Sequence, residues 1–338
     1  MKTRTVPGRA RPARAALVLG AGGAALAGAV LLSLVAGGRP TTPLEVWQAL
    51  AGGADAYTTT VVESRIPRTV MGIVAGAALA LAGTLMQGVT RNPLADPGLL
   101  GVNAGAAAAV VTATALLGPT SVAATVWWAL PGALAAGLAA YAVGSRGGDG
   151  GMVRLILAGA VVSAVLTAYV QAVALSMPEV FDSYRYWVVG SLAGRGYDVV
   201  LSVLPVIAAG VALALLVMGG LNALALGEEA AVATGANTTW TRTAGLVAAT
   251  LLAAGATAAA GPIAFVGLAV PHIVRALAGV DFRAQVPFSL LVGPTLLLVA
   301  DVLGRTVVRP TELMVGVVTA FVGSPVLLYV VRRMREAP

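Results

Sequence analysis

The sequence predicts an all-α membrane protein with about ten transmembrane helices, on three observations. Of its 338 residues, 58% are hydrophobic and only 10% are charged, whereas a soluble domain carries about 25% charged residues. Glycine accounts for 42 residues, and small residues allow membrane helices to pack closely. The apolar runs are continuous rather than alternating, which favours helices over a β-barrel.

Ten apolar segments justify this helix count, because crossing the hydrocarbon core takes roughly 20 apolar residues. The segments are 15–36, 68–89, 98–117, 121–143, 153–176, 199–218, 243–260, 262–278, 286–304 and 313–331. The segments 243–260 and 262–278 nearly touch, so we expect one of them to be short or broken.

The first apolar segment follows a basic N-terminus and resembles a signal peptide. We favour an uncleaved first helix, because the run from Ala15 to Ala36 is longer than the ~7–15 residues of a signal-peptide core. The predicted organisation is a basic cytoplasmic tail (1–14), one ten-helix transmembrane domain (15–331) and a cytoplasmic C-terminal tail (332–338).

The positions of Lys and Arg predict the orientation, because cytoplasmic loops are enriched in these residues. With the N-terminus inside and alternating segments, the cytoplasmic loops and tails hold 14 of the 21 basic residues and the outer loops hold 7. Both termini are therefore predicted to be cytoplasmic. The connectors predicted inside are 90–97, 144–152 and 219–242, and those predicted outside are 37–67, 177–198 and 305–312.

Several kinds of chemistry are excluded by composition. The chain has no cysteine and one histidine, His272, which excludes disulfides, thiolate chemistry and multi-histidine metal sites. Lys2 is the only lysine, so a phosphate-binding GxxxxGK[ST] loop cannot be built, and any ATP must be hydrolysed by another chain. The basic residues lie in the gaps between apolar segments rather than on one face, which argues against a nucleic acid partner. We expect His272 to pack between helices.

Charged residues gather at the predicted outer ends of the segments. Arg65 and Arg68 are three residues apart and therefore share a helix face. Asp301 is the only acidic residue within a segment, and it lies one helical turn before Arg305, so we expect a local ion pair. Two interpretations of the arginines stay open. They anchor helix ends at the interface, or they form a basic rim that receives an acidic partner.

The longest predicted cytoplasmic connector contains the stretch LALGEEAAVATG, which can form a short helix between Gly227 and Gly235. The residues that would give this helix an apolar side are Leu224, Leu226, Ala231 and Val232. It carries Glu228 and Glu229 but no basic residue, which is the wrong sign for an anionic lipid surface. Docking into a groove of a partner protein is the better explanation.

Four segments, in order, resemble the FecCD-type permeases, the membrane subunits of ABC importers for iron–siderophore, haem and cobalamin. The first is RIPRTVMGIVAGAALALAGTLMQGVTRNPLADPGLLGVNAGAA (65–107). The others are LNALALGEEAAVATGAN (221–237), GPIAFVGLAVPHIVRALAGVDFR (261–283) and ADVLGRTVVRPTELMVGVVTAFVGSPVLLYVVRR (300–333). The resemblance runs from about Arg65 to the C-terminus, and residues 108–220 match in pattern more than in motif.

The resemblance implies a cobalamin-importer-like, type II permease of ten helices that works as a homodimer or a paralogous heterodimer. Two ATPases dock below it and an extracytoplasmic binding protein docks above it. The residues expected to meet glutamates of the binding protein are Arg65, Arg68 and Arg305. The residues expected to couple to the ATPase are Leu224, Leu226, Gly227, Glu228, Ala231 and Gly235. No cofactor is expected on this chain, since ATP and Mg²⁺ belong to the ATPase.

The connector TRNPLADPGLLG (90–101) matches a family position at the cytoplasmic end of the pathway. The expected gate consists of Asn92, Pro93 and Leu94. Pro93 and Pro97 disfavour helical geometry at the residues before them, so the chain must turn here. The alternative is a plain helix–helix connector. A second constriction is expected near 149–153, where DGGMV lacks the small hydroxyl residues that we would look for.

These observations predict a multi-pass permease of the cytoplasmic membrane, without enzymatic activity of its own, that passes a metal chelate inward between two copies. An iron–siderophore is the preferred cargo, and cobalamin and haem are the alternatives. An ion-gradient-driven carrier would need acidic residues or broken helices at mid-membrane, of which the sequence offers almost none. An intramembrane enzyme would need a nucleophile beside its base, and His272 is the only histidine available.

Overall fold

The computed structural model describes residues 12–144, 151–308 and 311–335. In these ranges the chain is helical, with thirteen α-helices and no strand. The helices are α1 (Pro12–Val35), α2 (Pro43–Leu50), α3 (Ala56–Thr90), α4 (Val102–Leu117), α5 (Val122–Gly144), α6 (Gly151–Ser176), α7 (Pro178–Trp187), α8 (Tyr197–Ala225), α9 (Glu228–Ala233), α10 (Thr238–Ala260), α11 (Val266–Ala278), α12 (Phe282–Val307) and α13 (Val315–Arg335). A short 3₁₀ turn covers Pro97–Leu100.

Within the described ranges, seven helices have the length and apolar composition to cross a membrane: α1, α3, α5, α6, α8, α10 and α12. Three shorter apolar helices, α4, α11 and α13, account for the remaining predicted segments. The all-α membrane fold is confirmed. The expectation that 243–260 or 262–278 is short also holds, because α11 has only 13 residues.

Helix α3 is the centre of the packing and contacts α8, α10, α11 and α12. Its approach to α11 is so close that a Cβ on Gly83 would lie 1.8 Å from the carbonyl oxygen of Gly267. The helix begins at Ala56, where the Asp55 side chain accepts a hydrogen bond from the backbone N–H of Thr58. The apolar segment predicted from residue 68 therefore starts within a longer helix.

Two short outer helices were not predicted. Helix α2 begins with a capping box, in which Thr42 and Glu45 each bond the backbone of the other. The hydrogen bond from the Thr42 backbone N–H lowers the pKa of the Glu45 carboxyl. Helix α7 follows α6 almost directly. Both helices lie outside the apolar segments, where hydropathy gives no signal.

The connector after α3 turns back into the protein, and its cytoplasmic position stays a prediction. A Cβ on Gly267 would lie 3.3 Å from the Oδ2 atom of Asp96 and 3.2 Å from the carbonyl oxygen of Leu79. Leu79 lies about 16 Å from the cytoplasmic end of α3, given a rise of about 1.5 Å per residue. Non-helical chain at this depth is tolerated only where protein or a water-filled cavity surrounds it.

Candidate functional sites at the two faces of the membrane

A cluster of ion pairs joins the first half of α3 to the C-terminal part of α12, around Asp301. The Arg68 guanidinium donates to both carboxylate oxygens, with Nη2 2.9 Å from Oδ1. The Arg305 Nη2 atom lies 3.0 Å from Oδ2. Asp301 is only 2% exposed, so two arginines neutralise one buried carboxylate. Arg68 also reaches Glu312, with its Nη1 atom 2.8 Å from Oε2.

The arginines of this region also hold the C-terminal end of α1. Arg305 Nη1 donates to the carbonyl oxygens of Ser33 and Ala36 at 3.0 and 2.9 Å. Arg65 Nη1 donates to the carbonyl oxygens of Leu34 and Val35 at 2.6 and 3.0 Å. The last carbonyls of a helix have no partner within the helix, and here the two guanidinium groups satisfy several of them. The first helix is therefore fixed to the fold by its outer end.

This geometry gives the three predicted docking arginines an internal role. Arg65 and Arg305 are 7% and 2% exposed, and the Arg68 side chain is 15% exposed. The predicted pair of Asp301 with Arg305 is confirmed at 3.0 Å. The contact of Arg68 with Asp301 was missed, because the residues are 233 positions apart and no local spacing indicates it. Docking to a binding protein stays a prediction for all three arginines.

The predicted cytoplasmic gate is a turn fixed by side-chain hydrogen bonds. Arg91, which ends α3, adopts the left-handed conformation with φ 50°. The Asn92 Oδ1 atom accepts from the Leu94 backbone N–H at 2.9 Å, and Asp96 Oδ1 accepts from the Gly98 N–H at 2.8 Å. Leu94 is 41% exposed, and Asn92 and Pro93 are half-buried. Whether this turn gates a pathway stays a prediction.

The gate turn is tied to α11, which explains the role of the single histidine. His272 Nε2 lies 3.0 Å from the carbonyl oxygen of Pro93. A carbonyl oxygen can only accept, so Nε2 carries the proton in this bond. One turn further along, Arg275 donates to Gln87 Oε1 at 3.2 Å. His272 therefore packs between helices as expected, and it joins α11 to the turn.

Of the second predicted constriction, residues 149 and 150 lie outside the described ranges, and α6 begins at Gly151.

The predicted short helix is confirmed as α9, and its cytoplasmic position stays a prediction. Gly227 and Gly235 flank it with φ 110° and 78°, values that favour glycine. The four residues of the predicted apolar side do not share one face: two are buried in the protein and two are exposed. Leu224 and Ala231 are 1% and 0% exposed and pack against the protein, whereas Leu226 and Val232 are 72% and 59% exposed. The second pair is available to a partner.

Helix α9 is held to the start of α10 by one ion pair. Arg242 donates to both carboxylate oxygens of Glu228 at 3.0 Å. A cavity of about 380 Å³ lies between α8, the start of α10 and the residues that follow α9, with Trp240 in its wall. Trp240 is 55% exposed. The predicted cytoplasmic surface thus has apolar side chains around a shallow groove, and Arg242 neutralises Glu228.

Comparison with known proteins identifies the family. Residues 25–333 match the model of the FecCD transport family, and the chain belongs to that family. It is 47% identical to the ferric enterobactin transport system permease protein FepD of Escherichia coli (strain K12), over 90% of this chain and 92% of the relative. It is 42% identical to the Fe(3+)-citrate import system permease protein YfmD of Bacillus subtilis (strain 168), over 80% and 81%.

The fold agrees with a solved structure of a metal-chelate type ABC transporter in an inward-facing conformation. The TM-score is 0.80 at 26% identity, and the match covers 94% of this chain and 99% of that chain. The chain is therefore the permease subunit of an ABC importer and a multi-pass protein of the inner membrane. The predicted FecCD resemblance is confirmed.

The Asp301 cluster predicts a large stability cost for removing its carboxylate. In Asp301→Ala, Arg305 stays buried without its counter-charge, and breaking a buried pair in this way costs about 3–5 kcal/mol. The free energy of unfolding of the purified chain measures this cost. Asp182→Ala is the matched control, because its pair with Arg185 is exposed on both sides and is worth at most ~1 kcal/mol. Equal losses in the two variants would contradict the structural role of Asp301.

Proposed function

We propose that the chain carries a ferric chelate of the siderophore type across the inner membrane as one half of a permease dimer. The observation that supports this cargo most strongly is the similarity to FepD, which is named for ferric enterobactin. The similarity extends over about nine-tenths of both chains. YfmD is also named for a ferric chelate. Cobalamin and haem are the competing cargoes.

A polar stripe on α6 supports a pathway between two copies. Ser163, Thr167 and Gln171 follow one another at four-residue spacing and therefore share one helix face. Thr167 and Gln171 are exposed, and Ser163 is half-buried. Polar groups inside a membrane usually face a water-filled cavity or another helix rather than lipid. A second copy facing this stripe would enclose a polar route for the chelate, and a homodimer is the simplest arrangement.

Energy would come from two ATPase subunits on the cytoplasmic side. This chain cannot form the usual phosphate-binding loop, since its only lysine is Lys2, so ATP and Mg²⁺ would be held by the partner. The exposed Leu226 and Val232 of the α9 region offer apolar anchors for that partner. Glu228, Gly227, Gly235, Leu224 and Ala231 would act by holding α9 in place rather than by touching the ATPase.

On the outer side, Arg68 would meet the binding protein. Among the three predicted docking arginines it has the most exposed side chain, and its Glu312 partner is 39% exposed. An acidic side chain of the binding protein could exchange with Glu312. Arg65 and Arg305 would support this surface from beneath, because their guanidinium groups are engaged with the end of α1.

At the cytoplasmic end, the turn at Asn92, Pro93 and Leu94 would narrow the exit. The exposed Leu94 would close the route, and the bond from His272 would pass movements of α11 to the turn. The chelate would then leave when the turn and α11 move together.

Chelate uptake tests the cargo and the energy source together. The full chain is reconstituted in vesicles with its ATPase and binding protein, and uptake of ⁵⁵Fe-labelled ferric enterobactin is measured. We expect ATP-dependent uptake that exceeds the uptake of cobalamin and haem. The control is an ATPase without its phosphate-binding lysine, which should abolish uptake. Uptake of chelate with no ATPase present would overturn the proposal in favour of a gradient-driven carrier.

If the α9 region docks the ATPase, charged substitutions at its exposed apolar residues should weaken ATPase binding. Replacing Leu226 and Val232 by Asp places charge on the apolar anchors, and we expect co-purification of the ATPase to fall at least tenfold. Val280→Asp is the matched control, because Val280 is 74% exposed in the turn between α11 and α12, which the alternating orientation also places inside. Unchanged co-purification in the double variant would show that α9 is not the docking element.

A further inference from the structure

A second cavity lies on the predicted outer side, away from the Asp301 cluster. Its volume is about 330 Å³, which is at the small end of ligand sites. It lies among the end of α4, the start of α5, helix α7 and the connector from α7 to α8. The polar residues of its wall are Thr114, Thr120, Thr125, Ser183, Tyr186 and Ser191. These hydroxyl groups make the wall suited to a polar occupant.

Arg195 places a buried cation in this wall. It is 8% exposed, and the one hydrogen bond found for it in the described ranges runs from Nε to the Ser191 carbonyl oxygen at 3.3 Å. Within those ranges no carboxylate forms an ion pair with it. Burial lowers the pKa of Arg195 to about 10, so the group is still protonated at neutral pH. A buried charge of this kind is costly unless a counter-charge reaches it.

Trp187 lies in the same wall, but its indole N–H is not open to the cavity. The residue is 7% exposed, and its Nε1 atom is enclosed by protein without a hydrogen-bond acceptor in the described part of the chain. Among the described residues of this wall, Arg195 is therefore the cation that lacks a counter-charge.

We propose that this cavity binds a small carboxylate, or an oxyanion of similar size, through the Arg195 guanidinium. A carboxylate has two oxygens that accept several hydrogen bonds each, and a guanidinium group binds it in a fork geometry. The hydroxyl groups of Ser183, Tyr186 and Ser191 can donate to the remaining lone pairs. The site is separate from the predicted docking arginines, and its occupancy can be measured without transport.

The carboxylate could belong to a free anion or to a ferric chelate that bears carboxylates. The test uses the full chain in phosphatidylcholine nanodiscs, with citrate, ferric citrate and the uncharged polyol sorbitol as probes in titration calorimetry. We expect citrate to bind and sorbitol not to bind. Ferric citrate binding at least tenfold more tightly than citrate would identify the chelate as the source, and equal or weaker binding would identify the free anion.

The variants assign the binding to Arg195. We expect Arg195→Gln to weaken citrate binding at least tenfold and Arg195→Lys to restore part of it. Arg185→Gln is the matched control, because Arg185 lies on the outer helix α7 but is exposed and paired with Asp182; its affinity should equal that of the native chain. The melting temperature without citrate checks that each variant is folded.

Two results would overturn the proposal. The first is no binding of citrate or ferric citrate to the native chain. The second is equal affinity in the native chain and in a folded Arg195→Gln variant.

Discussion

Lipid cannot donate or accept hydrogen bonds, and this constraint decides where the polar groups of the chain lie. Asp301 is buried near the outer end of α12, and it is tolerated because Arg68 and Arg305 neutralise it from two helices. The same guanidinium of Arg305 satisfies carbonyls at the end of α1. One cluster therefore joins α1, α3 and α12. The charges that resemble a surface rim in the sequence hold the outer half of the helix bundle together.

The same constraint explains the irregular segments at the cytoplasmic end. The chain leaves α3, returns to the depth of Gly267 and only then begins α4. The turn is partly covered by protein, and Asn92, Asp96 and His272 bond to its backbone. Helices α4 and α11 are short because the non-helical chain before each of them takes up part of the membrane thickness. Such breaks are places where a helical protein can move without losing its packed core.

The sequence predicts what depends on composition or local spacing. Apolar segments, the Asp301–Arg305 pair and the helix between Gly227 and Gly235 all follow from neighbours along the chain. The structure adds what depends on distant partners, such as Arg68 against Asp301 or His272 against Pro93. The division of the apolar residues around α9 into a buried and an exposed pair was also unpredictable, because both pairs are apolar. The outer helices α2 and α7 gave no apolar signal.

The account rests on the orientation of the bundle, with α9 in the cytoplasm and the start of α3 outside. The chain has no cysteine, so a single introduced thiol reports one position. Tyr57 and Val232 are 58% and 59% exposed, and each is replaced by Cys in a separate variant. Sealed right-side-out vesicles that contain one variant are then treated with a membrane-impermeant maleimide. The account predicts labelling of the residue-57 thiol at once and of the residue-232 thiol only after permeabilisation. Labelling of the residue-232 thiol in sealed vesicles would contradict it.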